Sequence, residues 1–214
     1  MSLPANPHPE PVLVGDQLAM DFLNSIEVLS NPDTECLRDG EGLIRWLMKA
    51  GVIESAHARV LQAMDAGDLD LGATEARRLR EWFRGTLNRL IGRPDARPRL
   101  RDLAPLNELL ARGNWQWQVV TGHSDERTRR DYLEVIHRVQ WTNPDQLLQP
   151  LALAMAELLC NEDLSRIKHC GNHVCTLMFL DRTKANKRRW CSMAVCGNRA
   201  KNAAHRARVA AGED

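Results

Sequence analysis

No stretch of this 214-residue sequence approaches the roughly 18 consecutive apolar residues that a membrane-crossing helix needs. The opening MSLPANPHPEPVLVGD has neither a basic segment nor an apolar one, so a secretory signal is not expected. No self-similarity of solenoid length is present. Nor is there a glycine-rich phosphate loop, a His-Glu-x-x-His pair, a His-x-Glu deaminase block or a Gly-x-Ser-x-Gly elbow. These absences exclude a membrane role and point away from an enzyme. A reducing, cytoplasmic setting follows as the expectation. There, spaced cysteines serve metal or catalysis more often than disulfides.

Acidic residues are also missing from one region. Residues 166–214 hold eleven Lys and Arg but three acids, a net +8, while the first 165 residues carry −7. The chain's net +1 hides this division. Two segments of opposite sign imply two jobs, and a basic tail faces polyanions or a solvated helix surface.

The acidic part reads as mostly helical. After an extended Pro-rich arm, residues 1–14, Leu18, Phe22, Ile26 and Leu29 recur at helical spacing. A second helix runs to Gly51, placed as a C-terminal glycine. A third spans roughly 54–66, and AGDLDLG then reads as a turn before a long helix over 74–92. LAPLNELLARG gives a short helix ending at Gly113. In NWQWQVVTG and DYLEVIHRVQW the period shifts to alternation, which predicts an antiparallel hairpin near 115–140, the second run also being readable as a helix. Residues 144–160 form a buried helix, with Pro150 at its start or at a kink. The fold class is mainly α with a β-hairpin: a helical domain over 15–160, then a small cysteine-rich unit over 166–214.

Six cysteines occur. Cys36 and Cys160 stand alone and read as small buried hydrophobes. The other four form two pairs, Cys170 with Cys175 and Cys191 with Cys196, each with four residues between and fifteen separating the pairs. Two tight loops, each giving two thiolates, are what a tetrahedral Zn2+ site requires. Two disulfides or an iron–sulfur cluster are the rival readings, and His169, His173 and His205 are spare donors. Four protein ligands leave no open position, so one structural ion is expected. Ser192 suits an N-cap, with Cys196 in the first turn of the helix that follows. A segment this poor in large apolar residues needs such a staple, and chelation is expected to unfold 166–214 while leaving the front helices intact.

On a helix over 193–211, Met193, Cys196, Ala200, Ala203, Ala204, Ala207, Ala210 and Ala211 share one side, a face suited to docking on the zinc unit. Arg199, Lys201, Asn202, His205, Arg206 and Arg208 share the other. Lys184, Lys187, Arg188 and Arg189 precede it and are placed to grip phosphates. Asn186, Asn198 and Asn202 add donors. A metal-pinned helix with a basic face and a basic loop is the layout of a nucleic-acid contact. Its candidate contacts are Lys184, Lys187, Arg188, Arg189, Asn198, Arg199, Asn202 and Arg206.

The four cysteines with Phe179-Leu180-Asp181, Asn186, Arg189-Trp190-Cys191-Ser192 and Cys196-Gly197-Asn198-Arg199 resemble the CGNR zinc finger. Leu18-Ala19-Met20-Asp21-Phe22-Leu23-Asn24-Ser25 resembles the block opening the ABATE domain that precedes this finger. The resemblance implies bacterial stress-induced transcription regulators, with Cys170, Cys175, Cys191 and Cys196 as zinc ligands. Asp181 is expected to brace a loop, Trp190 to pack in the core, and Arg199 to be the leading DNA contact.

The expected function is therefore a zinc-dependent DNA-binding regulator whose front domain senses a ligand or partner or holds a second copy. Asp21 and Asn24, three apart on an apolar helix, are candidate ligand contacts; capping or bracing a neighbouring loop is their alternative. Trp46, Trp82, Trp115, Trp117 and Trp141 line a pocket or the core. Two other functions compete. One is a protein-interaction module whose basic finger docks on an acidic surface. The other is a nuclease-like enzyme built on Asp181 and His205.

Overall fold

A computed structural model describes residues 8–26, 35–93, 97–112, 115–122, 132–139 and 143–211. Six helices make the front of the chain: α1 (Leu18–Leu23), α2 (Gly40–Lys49), α3 (Ser55–Gln62), α4 (Ala66–Leu90), α5 (Ala104–Ala111) and α6 (Gln149–Asn161). Strands β1 (Trp115–Gly122) and β2 (Tyr132–Val139) form the expected antiparallel hairpin, so the second run is a strand and not a helix. The short strands β3 (Ile167–His169) and β4 (Met178–Leu180) pair antiparallel, and α7 (Asn198–Ala211) follows. No helix among the described residues is long and apolar enough to cross a membrane.

Helix α1 is central because it is apolar nearly all round. Ala19, Met20, Phe22 and Leu23 are fully buried, against α4, α6 and β4. It is also short. The Gln17 side chain caps it by accepting from the Ala19 and Met20 N–H groups, and it ends at Leu23. Ile26, expected to continue it, instead bridges to Glu35, and Leu29 lies outside the described residues. Trp46 meets Phe22 edge to face at 5.8 Å between ring centres, so that tryptophan belongs to the core.

The segment AGDLDLG is not a turn. Asp65 accepts from the Gly67 and Asp68 N–H groups and starts α4 there, eight residues before the expected point. The buried stripe Leu69, Ala73, Ala76, Leu79, Phe83, Leu87 and Leu90 shows why. Helical periodicity already begins at Leu69, which presses on Gly40 at the start of α2. A β-carbon on Gly40 would lie 2.3 Å from that of Leu69. Gly51 does end α2, at φ +73°. Pro150 lies in the first turn of α6 and starts it without a kink. Gly113 lies outside the described residues. Cys36 is buried as expected, but Cys160 is exposed.

Candidate metal centre and nucleic-acid interface

The first cysteine pair sits at the tip of the β3–β4 hairpin. The Cys170 N–H donates to the Leu177 carbonyl at 2.9 Å, closing the loop that carries Cys175. Gly171 donates to the Arg189 carbonyl at 2.7 Å, which draws the second pair's approach over the first. The Cys191 N–H then points at Cys170 Sγ, 3.4 Å away. Ser192 is the N-cap residue expected, although its side chain makes no capping bond. The next turn, Met193–Gly197, is π-helical and holds Cys196 before α7 begins.

All four sulfurs are buried and lie within 4.8 Å of one another. Cys175 and Cys191 are 3.8 Å apart, Cys191 and Cys196 3.6 Å. A tetrahedral zinc site with bonds of about 2.3 Å sets sulfurs about 3.8 Å apart, so the donor set fits this ion. No disulfide joins them. The Cys191 thiol beside Cys175 holds the Cys175 pKa down to about 5. The same contact, with burial, pushes Cys191 up, and burial raises Cys196. Asn172 Nδ2, 3.6 Å from Cys196 Sγ, adds a donor behind a ligand.

Asp181, just after β4, is fully buried. Its carboxylate accepts from Lys168 Nζ at 2.7 Å, from the Thr183 N–H and hydroxyl, and from the Arg188 N–H at 2.9 Å. Burial pushes its pKa up, but the Lys168, Thr183 and Arg188 bonds outweigh it and hold the group well below the usual carboxylate range. Asp181 is a loop brace. Asn186 serves the same turn at φ +49°, a conformation asparagine tolerates, while its carbonyl accepts from Lys168.

The finger is sewn to the front helices. Asn24, 2 % exposed, accepts from the Met178 N–H at 2.9 Å and donates to its carbonyl at 2.8 Å. Gly15 donates to Asp21 Oδ1 at 2.7 Å and accepts from Leu180 at 3.0 Å. These contacts match the bracing alternative for Asp21 and Asn24 and lend the ligand reading no support: Asp21 holds the arm and Asn24 holds β4. Burial raises the Asp21 pKa, against the Gly15 and Val14 bonds that lower it. Only glycine fits at 15, where a β-carbon would lie 2.6 Å from that of Met20. Val12 and Val14 of the arm pack on the finger core, and Met178 and Leu180 belong to the main core. A separate front-domain cavity of about 220 Å³, lined by Leu79, Trp82, Leu109 and Leu148 among others, contains neither Asp21 nor Asn24.

The basic residues divide. Arg188, expected to grip phosphate, is engaged internally. Its guanidinium pairs with Asp16, donates to the Val14, Trp190 and Cys191 carbonyls, and lies 4.2 Å over the Phe179 ring. Asn198 donates to the Ala194 carbonyl at 3.1 Å. Arg189 stacks over Trp190 at 5.1 Å, and that tryptophan is half-buried in the finger core. Lys184, Lys187, Arg199, Lys201, Asn202, Arg206 and Arg208 are exposed, and their side chains make no hydrogen bond or ion pair among the described residues. The alanine face of α7 does not dock as expected. Ala203, Ala204 and Ala210 are exposed and Ala200 is half-buried. Helix α7 instead borders an open cleft of about 850 Å³ with the first knuckle, lined by Trp190, Arg199, Asn202, His205 and Arg206.

Three contributors had no spacing signal in the sequence. They are the Arg188 clamp, the Asn24 pairing and a buried ion pair on α4. There Arg80 donates to Glu35 through two nitrogens, at 2.8 and 2.6 Å, and to Ser25 Oγ at 2.9 Å.

No curated protein matches this sequence. Two family profiles do. The CGNR zinc finger matches residues 166–209, and the ABATE profile, described as "Putative stress-induced transcription regulator", matches residues 16–162. The order and extent agree with the helical body and the four-cysteine unit, and the chain belongs to the ABATE family with a C-terminal CGNR zinc finger.

Proposed function

We propose that this chain is a cytoplasmic, zinc-dependent DNA-binding transcription regulator and not an enzyme. Cys170, Cys175, Cys191 and Cys196 would hold one Zn2+, which supplies rigidity and no open coordination position. The residues around the ion then do the positioning. The Gly171–Arg189 bond and the Cys191 N–H set the two cysteine loops against each other, and Cys196 fixes the start of α7.

The observation that carries the reading is the condition of α7 and the preceding loop. Arg199, Lys201, Arg206 and Arg208 are exposed on α7, and Lys184 and Lys187 on the loop before it, with no acid paired to them among the described residues. Such a stripe binds phosphates by releasing their counterions. Asn202 lies among them and suits a base edge. The rival in which the basic face docks on the front domain fits poorly with Arg199, Lys201, Arg206 and Arg208 of α7 all being exposed. A nuclease centre on Asp181 and His205 fits poorly with a carboxylate that is fully buried and engaged by Lys168, Thr183 and Arg188.

Charge reversal tests the reading. Arg199→Glu with Arg206→Glu should abolish duplex binding in a zinc-loaded protein of unchanged helicity. Retained affinity would move the interface elsewhere.

A further inference from the structure

The β1–β2 hairpin is inside out. Val119 lies opposite Val135, Trp117 opposite His137 and Thr121 opposite Leu133, so Trp117, Val119, Leu133 and Val135 share one face. That face is open: the four are 67, 65, 75 and 62 % exposed. On the other face Gln116, Val120 and Ile136 are half-buried, while Gln118, Tyr132 and Glu134 are exposed. A hairpin with one wet side ordinarily turns its polar residues outward. Here the more apolar side faces water. Beyond their mutual pairing, β1 and β2 pack extensively on no other described element. A lone two-stranded hairpin is marginal in water and needs more strands or a covering layer.

We propose that this face is the interface between two copies of the chain, stacked hairpin on hairpin about a twofold axis. Charge selects the occupant. Trp117, Val119, Thr121, Leu133 and Val135 carry none, and His137, opposite Trp117 at the end of the strip, is its one titratable residue, so two such faces meet without burying a fixed charge. No lysine, arginine, aspartate or glutamate stands in the strip from Trp117 to Thr121 and Leu133 to His137 on this side to recognise a phosphate or a charged peptide. Area agrees. The four exposed side chains present on the order of 500 Å² per copy, so two copies bury about 1,000 Å², the lower bound for a biological interface before neighbouring residues are counted. Shape agrees as well. A twofold through the Val119–Val135 pair, lying along the pairing direction, sets Trp117 over the partner's Thr121, large over small. The result is a four-strand stack with a dry centre, which supplies the layer the hairpin lacks among the described residues.

Sedimentation equilibrium on the full-length, zinc-loaded chain tests this. The wild type should sediment at twice its 24.2 kDa mass. Val119→Lys and Val135→Lys should each weaken the dimer by at least about a hundredfold, because each buries unpaired charges, with far-ultraviolet circular dichroism unchanged. Gln118→Lys, exposed on the opposite face, should leave it intact. Hydrogen exchange covers the case of a variant that fails to fold: wild-type amides of 116–121 should gain protection as concentration rises. A wild type that stays monomeric, or a dimer that survives both lysine variants, overturns the proposal. So does hairpin exchange independent of concentration.

Discussion

Asn24 completes the backbone of Met178, 154 residues away: its side-chain carbonyl takes the Met178 N–H and its amide gives to the Met178 carbonyl. An asparagine side chain thus acts as one more strand residue beside β4. It joins the first helix of the front domain to the strand that leads out of the first zinc knuckle. Asn24→Ala leaves two backbone groups buried and unpaired. The expected cost is about 2–4 kcal/mol, read as a shift of the denaturation midpoint at constant slope. A loss under roughly 0.5 kcal/mol would mean those groups find water.

Removing the metal should therefore be felt beyond the finger. The sequence leads one to expect that chelation unfolds 166–214 alone. But Met178 and Leu180 lie in the main core, and Leu180 pairs with Gly15 beside α1. Chelation is expected to lower the melting temperature of the front helices together with that of the finger. Helical circular dichroism through a chelator titration checks it. A front-domain melt that does not move would show two independent units.

Three basic side chains should fail in three ways. Arg188→Ala removes a clamp on Asp16, Val14 and Cys191, so stability falls first, by about 2 kcal/mol or more, and DNA affinity only through it. Lys187→Ala should leave stability alone and lower the salt slope of DNA binding by about one unit. Arg199→Ala should weaken binding by about 1–3 kcal/mol if it reads a base. Thermal melts beside affinity at two salt concentrations separate them. An Arg188 variant that is fully stable yet binds DNA weakly would contradict the assignment.

Arg80 is 2 % exposed and anchored at two oxygens of Glu35. Its Nε also reaches Glu81 at 2.9 Å, so losing Glu35 leaves the buried guanidinium one partner of two. Glu35→Ala is expected to cost about 2 kcal/mol, and the double change of Arg80 to Met and Glu35 to Leu less. A double-mutant cycle by denaturant unfolding measures the difference. Equal losses in single and double variants would show that packing, not the pair, carries the effect.

What could be read early was what lies close in sequence. Cysteine spacing located the metal centre, because each pair is a single loop. Charge counting located the basic helix, and periodicity located α2, α6 and the hairpin. The misread stretches share one cause, contacts across long separations. AGDLDLG looked like a turn because its glycines and aspartates mask Leu69, whose partner Gly40 lies in another helix. Asp21 and Asn24 leave two readings open, ligand contact or brace, because a polar residue on an apolar helix gives no sign of whether its partner is a ligand or a strand 154 residues on. Arg188 looked like its neighbours because composition does not show which cation turns inward. The hairpin's alternation was legible, but not which of its faces is open.

The measurement that tests the central claim is a titration of the zinc-loaded protein against a pool of labelled duplexes at low and near-physiological salt. The account predicts tight binding at low salt, a steep loss with salt, and enrichment of a few sequences that survives at the higher concentration. An exposed basic helix and loop that hold no duplex even at low salt would contradict it.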